Sequence, residues 1–479
     1  MNSKFKSFGE MNFGNAQLGD IRRSRRLAKT ADLMRRRPGG SLPQKLNNPK
    51  DLQALYRLMR CDEVTHDAIL AAHRQATQNK IDEKRGPVLI LHDATELDYT
   101  THLSLKEGLG QIGNGNRRGY IVQNSLAVVA KNRRVLGLYN QVLHQRADVP
   151  EGETIAQKRK RESRESLLWL QGTEPLPDSK KLIDVCDQGA DTFEFLEHEV
   201  NSGRRFVIRA AYDRGIFMGH DMSATSQSGY LRTYAQTLPE VGTWTLRVTS
   251  KVETKGPKKK GKKKTVKRKA RNAEMAVSFA PVRIKPPGKK NGNHGNDPLT
   301  VWVVRVWEKN PPAGQERLEW FLITNEPVLC FEDAYRVVEW YECRWIIEEY
   351  HKGKKTGCKI ESPQFTAEER LQPAIALLSI VTLTLLAMRD ASRRSDAKRR
   401  KATEIICEDY VAVLSSWRHG TIHRDWTIHD FYYALGRLGG HQNRKNDHPP
   451  GWQIIWRGWN DLQAMVCGYD AMKQQKICG

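Results

Sequence analysis

Tyr341, Arg344, Glu348 and Lys355 follow one another at steps of three, four and seven residues. An α-helix turns about 100° per residue, so these steps return to one side of a helix. That side carries a phenol, a guanidinium, a carboxylate and an ammonium. A carboxylate between two cations can hold a divalent ion next to a phosphate while the Arg and Lys grip the nucleic acid. Val338 and Trp345 lie off the stripe and are expected to face a core. On spacing alone a solvated face with i,i+4 pairs is the favoured reading. The rest of the chain changes the balance.

Two further acids stand where strands are expected to end. The apolar run 88–92 is followed by Asp93, and the run 181–186 by Asp187. Strands at 120–130 and 135–144 flank a polar break at 131–134, and a helix is expected over 151–171. Continuous apolar runs of this kind suit strands buried on both faces of a sheet. Three carboxylates gathered from two strand ends and a later helix could hold two Mg²⁺ ions for in-line displacement at phosphorus. Asp98, Asp184, Asp191 and Glu349 are rivals for these places, since Asp often just ends a strand.

Between Asp187 and the signature helix the pattern is β-rich, with candidate strands at 205–209, 243–249, 275–284, 300–307 and 318–324. Residues 251–271 hold twelve Lys or Arg and read as a solvated, mobile loop. After Pro363 the chain reads as mainly helical. Trp452, Trp456 and Trp459, continued by Leu462 and Val466, form a helical stripe.

The 479 residues carry 79 Lys+Arg against 55 Asp+Glu, a net charge of +24. That balance suits a polyanion. No membrane partner is expected. The most apolar stretch, 374–388, falls short of the roughly 20 residues needed to span and reads as a buried helix. The N-terminus has no long apolar signal segment. The eight cysteines include no C-x-x-C pair, so a reducing cytoplasm is expected, without structural zinc or disulfides. Residues 15–78 read as helical and basic. Asp20 is a plausible N-cap, followed by Arg22, Arg23, Arg25 and Arg26. A small DNA-reading module and a solvated basic helix are equally good readings of this segment.

The pattern Y-x2-R-x3-E-x6-K, with Asp93 in His-Asp-Ala-Thr and Asp187 in Val-Cys-Asp-Gln-Gly-Ala-Asp, resembles the bacterial cut-and-paste DDE transposases of insertion sequences. The likeness runs from Leu18-Gly-Asp-x-Arg-Arg to Gly451-Trp-x3-Trp-x-Gly-Trp459. It implies an α/β fold: a ribonuclease-H-like catalytic core with a β-rich insertion, flanked by helical N- and C-terminal domains. The implied divisions are residues 1–75 for end binding, 76–375 for catalysis with the insertion at about 205–330, and 376–479 for dimerisation. It further implies Mg²⁺, replaceable by Mn²⁺, held by Asp93, Asp187 and Glu348. Tyr341, Arg344, Lys352, Lys355 and Arg209 become DNA contacts, as do Arg22 and Arg26 of the basic helix. Trp320 becomes the aromatic that receives a flipped base. The implied partners are double-stranded DNA, as transposon ends and target, and a second copy of the chain in a synaptic homodimer. The Trp452–Trp459 stripe is then expected at the dimer contact. The implied reaction nicks the end, forms and reopens a hairpin, and joins the 3′ end to target DNA in the bacterial cytoplasm at the nucleoid. Gln123-Asn124 stands where relatives often carry a His.

Overall fold

A computed structural model describes residues 6–113, 115–146, 152–154, 157, 161, 163–220, 227–255, 264–288, 294–444, 447 and 449–474. In chain order it begins with helices α1 (Phe8–Phe13), α2 (Ile21–Arg36), α3 (Leu42–Leu46), α4 (Pro49–Leu58) and α5 (His66–Asp82). Strands β1 (Val88–Asp98), β2 (Gly110–Gln111), β3 (Arg118–Val129), β4 (Val135–His144) and β5 (Leu182–Cys186) follow. Then come α6 (Phe193–Asn201), β6 (Arg205–Arg209), β7 (Gly215–Met218), β8 (Ser228–Tyr230), α7 (Leu231–Thr237) and β9 (Gly242–Val248). The β-rich stretch continues with β10 (Lys251–Lys255), β11 (Lys264–Arg268), β12 (Arg271–Ile284), β13 (Leu299–Glu308) and β14 (Glu319–Thr324). The remainder is helical: α8 (Phe331–Glu342), α9 (Trp345–Lys352), α10 (Glu368–Arg393), α11 (Glu408–His419), α12 (Ile428–Leu438) and α13 (Trp452–Gln474). This mixed α/β chain divides into two compact units. One comprises Met1–Pro150, Gln171–Leu176 and Trp345–Gly479; the other comprises Glu151–Leu170 and Pro177–Arg344.

The first unit is an antiparallel meander roofed by helices. β1 pairs with β3 from Val88 opposite Val129 to Asp98 opposite Gly119, and β3 pairs with β4. Asp93 therefore lies in the middle of a strand rather than after it. From Asp93 to Glu96 the strand is only half-buried, so the apolar run stops while the ladder continues.

Helix α10 is 26 residues long and passes the length and hydropathy tests for a membrane span, yet 83% of its most apolar window is buried. Leu377, Leu378, Ile380 and Val381 belong to this unit's core, together with Leu27, Leu55 and Tyr432. The helix extends well past both ends of the expected stretch 374–388.

The C-terminal tryptophans belong to the same core. Trp456 is 2% exposed and Trp459 4%. Trp452 stacks on Trp456 with centroids 5.4 Å apart, and Tyr410 stacks on Trp459 at 5.2 Å. A side chain at Gly357 would run into the Trp456 ring. The stripe expected at a dimer contact is thus spent on its own chain, because burying several indoles outweighs exposing them.

In the second unit, β5 and β6 are parallel, as a crossover through α6 requires. The sheet continues in the order β5-β6-β14-β13-β12-β7-β8, with β9 on another stretch of β12. Its core gathers Phe195, Phe206, Ile208, Val301 and Ile323. The basic stretch 251–271 is not the open loop expected. β10 and β11 pair antiparallel from Lys251 opposite Arg268 to Lys255 opposite Lys264, and residues 256–263 lie outside the described residues. Of the helix expected over 151–171, part lies outside the described residues; Gln157 is helical, and a 3₁₀ turn at Glu165–Leu167 leads into a short helix, Leu168–Thr173.

Candidate nucleic-acid and metal site

The signature helix is two helices. α8 closes with i→i+3 bonds, Cys343 N–H to Trp340 O at 3.1 Å and Arg344 N–H to Tyr341 O at 3.0 Å, and α9 starts anew at Trp345. A π-helical turn, Gly353–Gly357, follows it. The single stripe expected from spacing is therefore broken between Arg344 and Glu348. The break redirects Trp345, which is 55% exposed instead of facing a core. It also divides the candidates: Tyr341 and Arg344 belong to the second unit, whereas Glu348, Lys352 and Lys355 belong to the first.

In the first unit α9 packs on β1, the elements of Glu348 and Asp93. The Asp93 carboxylate lies 3.6 Å from His351 Nδ1, with both side chains mostly covered. His351 Nε2 lies 3.1 Å from Asn124 Nδ2, and Lys354 Nζ donates to Asn124 Oδ1 at 3.0 Å. Lys354 is fully buried, and burial pushes its ammonium down to about 7. Lys352 is exposed; Lys355 is half-buried, 4.0 Å from Glu361. Residue types alone did not reveal His351 and Lys354. In His351-Lys-Gly-Lys-Lys355 any of three lysines could point outward, and the π turn decides which turns in.

In the second unit Asp187 follows β5 and accepts the Gly189 N–H at 2.9 Å, capping a 3₁₀ turn. Trp169 lies so close over this turn that a Cβ at Gly189 would meet its ring. Arg209 on β6 and Arg344 lie near the Tyr341 hydroxyl; burial raises that hydroxyl's pKa, and the two guanidiniums oppose the rise. Two guanidiniums thus gather around one nearly buried phenol. Trp320 on β14 pairs with Val306 of β13 and keeps its side chain half-exposed, unlike a core indole.

The rival acids are committed elsewhere. Asp184 is buried against Arg204 at 2.6 Å, and Asp191 holds Arg214 at 2.7 Å. Asp98 meets Arg117 at 3.0 Å, and Glu349 is paired with Arg389. Removing a partner from the covered pairs of Asp184, Asp191 and Glu349 leaves an uncompensated charge, so these three acids serve the fold, whereas the Asp98 pair is half-exposed. Asp93, Asp187 and Glu348 have carboxylate oxygens, the hard donors that Mg²⁺ takes. Among the described residues no group of three or more His, Cys, Asp or Glu is already arranged as a ligand cage.

The N-terminal helices carry the cationic surface. Asp20 caps α2 by accepting the Arg22 N–H at 2.8 Å and also binds the Arg22 guanidinium. Leu27, Ala31 and Met34 face the core, while Arg22, Arg25, Lys29 and Arg36 face solvent. Arg26 is half-exposed and tethered to Asp51 at 3.0 Å. Residues 6–64 match the transposase DNA-binding family. The match supports a transposase whose partner is DNA, and it places α1 to α4 inside the transposase-type domain.

Proposed function

We propose that the protein is a DDE-type DNA transposase that binds transposon ends, cleaves them through a hairpin intermediate and joins the 3′ ends to target DNA. The observation that carries the reading is the transposase DNA-binding match at residues 6–64. The Y-R-E-K residues and the ion-paired state of every rival acid support the finer assignment. In this reading residues 1–75 engage the ends, and residues 76–375 form a ribonuclease-H-like catalytic core with an insertion at about 205–330. Residues 376–479 dimerise through surfaces other than the buried tryptophan stripe. The reaction takes place in the bacterial cytoplasm, at the nucleoid.

Asp93, Asp187 and Glu348 would hold Mg²⁺ or Mn²⁺. When bound, such ions activate a water or 3′-hydroxyl and stabilise the leaving oxygen. The chain's own groups bind and orient the DNA. Arg209, Tyr341 and Arg344 clamp a phosphate beside the cut, and Lys352 and Lys355 add cations on the α9 side. Trp320 offers a half-exposed ring for an extrahelical base. Arg22 and Arg26 contact the end sequence from α2.

The deciding experiment incubates purified protein with labelled end DNA and Mg²⁺, then supplies pre-cut ends with a target. Nicking followed by joining is expected. Nicking without joining would make the protein a nuclease, and binding without nicking a DNA-binding repressor.

A further inference from the structure

Three polar side chains form a row across the sheet of the first unit. Asp93 of β1 stands directly opposite Asn124 of β3, and Asn124 directly opposite Gln141 of β4. Asn124 and Gln141 are almost completely buried. Such groups are costly unless satisfied, and this row is satisfied from the helices above it. Asn124 Oδ1 accepts from Lys354 Nζ at 3.0 Å and from Gln141 Nε2 at 2.8 Å. Gln141 Nε2 also donates to Ser379 Oγ of α10 at 3.0 Å. The Lys354 ammonium lies 5.0 Å over the Tyr350 ring, and the Tyr350 hydroxyl donates to Ser379 O at 2.9 Å.

Two donors on Oδ1 fix which end of the Asn124 amide is oxygen. Its Nδ2 then donates to Val122 O at 3.0 Å and faces His351 Nε2 at 3.1 Å. A donor pointing at Nε2 requires a lone pair there, so the proton of the neutral ring sits on Nδ1. Nδ1 is the nitrogen that faces Asp93, 3.6 Å from Oδ2.

We infer that Asn124 is a positioning residue: locked by Lys354 and Gln141, it holds His351 in the tautomer that turns Nδ1–H towards the Asp93 carboxylate 3.6 Å away, ready to hydrogen-bond it once a metal draws that carboxylate into place. The inference rests on the reading of Asp93 as a metal-binding carboxylate. Groups that orient a ligand in this way typically account for about 10–100-fold in metal affinity.

The test uses the full-length protein and Mn²⁺ as the probe. Asn124→Leu keeps the shape and removes the amide. His351→Gln retains a polar group at the Nε2 position but none at Nδ1, and His351→Asn does the reverse. Calorimetry should show Mn²⁺ binding weakened about 10–100-fold in Asn124→Leu and His351→Gln and largely restored in His351→Asn, with end-DNA affinity unchanged. Nitrogen NMR of the metal-free protein should show His351 protonated at Nδ1, and this state should be lost in Asn124→Leu. If Asn124→Leu does not fold, the His351 pair decides the matter. An unchanged tautomer together with unchanged Mn²⁺ affinity overturns the positioning role. Asp93→Asn separates the two levels. If it weakens Mn²⁺ binding while Asn124→Leu and His351→Gln do not, only the positioning role falls. If it too leaves Mn²⁺ binding intact, the assignment of Asp93 falls with it.

Discussion

Asp93 and Asp187 are held by opposite means. Asp93 lies in mid-strand, mostly covered, beside a histidine that other side chains hold in place. Asp187 stands just past a strand, on a turn made by its own bond to a backbone N–H and a glycine pressed under Trp169. One carboxylate has a side chain for its neighbour, the other a main-chain N–H. Side-chain control can be removed one atom at a time, whereas main-chain control changes only with the turn itself.

The largest effect breaks both arrangements. Asp93→Ala, Asp187→Ala or Glu348→Ala should reduce Mg²⁺-dependent nicking to background while gel shifts show end binding retained, since phosphate contacts supply most of the affinity. A variant that still nicks at near-normal rate identifies a misassigned acid.

The next tests the main-chain side. Gly189→Val forces a side chain into Trp169 and should cost about 1–3 kcal/mol in urea unfolding, with nicking reduced alongside. Unaltered stability would mean that the turn tolerates a side chain and does not aim Asp187.

A pH series probes the side-chain arrangement. The Lys354 ammonium is pushed down to about 7 in the folded protein from an ordinary value of 10.5. Between those values the unfolded chain binds the extra proton, so wild-type stability should rise with pH from about 7 towards 10.5 by up to about 1.4 kcal/mol per unit. Below 7 the burial penalty is present in full. Lys354→Met should flatten the rise, and urea melts at pH 7 and pH 9 that shift equally for both proteins would refute it.

Two smaller effects concern DNA. Trp320→Ala should slow hairpin formation more than first nicking, since stacking is worth about 1–3 kcal/mol per base. Equal losses in both steps with a lower melting temperature would return this residue to the core. Arg22→Ala should lower the slope of log affinity against log salt by about one. No change in slope would remove Arg22 from the contact surface.

The strands and the N-cap of α2 were legible because alternation, apolar runs and capping are local properties. Asp187 stands just past its strand, as expected, for the same reason: β5 is buried throughout, so the apolar run and the ladder end together. β1 outlasts its apolar run because ladder bonds to β3 do not depend on side-chain polarity. Helical spacing could not show the break after Tyr341, which depends on how Cys343 and Arg344 bond backward. Nor could it show that Lys354, of three neighbouring lysines, turns inward. The tryptophan stripe was visible, but what covers it is a tertiary fact. The small pieces β7, β8 and α6 gave no periodic signal long enough to register.

The way the chain is threaded sets the order in which it matures. The unit containing the DNA-binding helices is assembled from segments separated by about 200 residues, and α10 and α13 complete its core. The Arg37–Asp470 pair, 2.8 Å long, ties the end of α2 to one of the last helices synthesised. At about 5–20 residues per second, the β1–β3–β4 meander waits roughly 10–40 s on the ribosome before α9 and α10 emerge to cover it. During that interval α5, already synthesised, packs on β4, while the surface that α9 and α10 will cover stays open. A pause in translation between β4 and α9 prolongs that exposure and lengthens the window for chaperone capture.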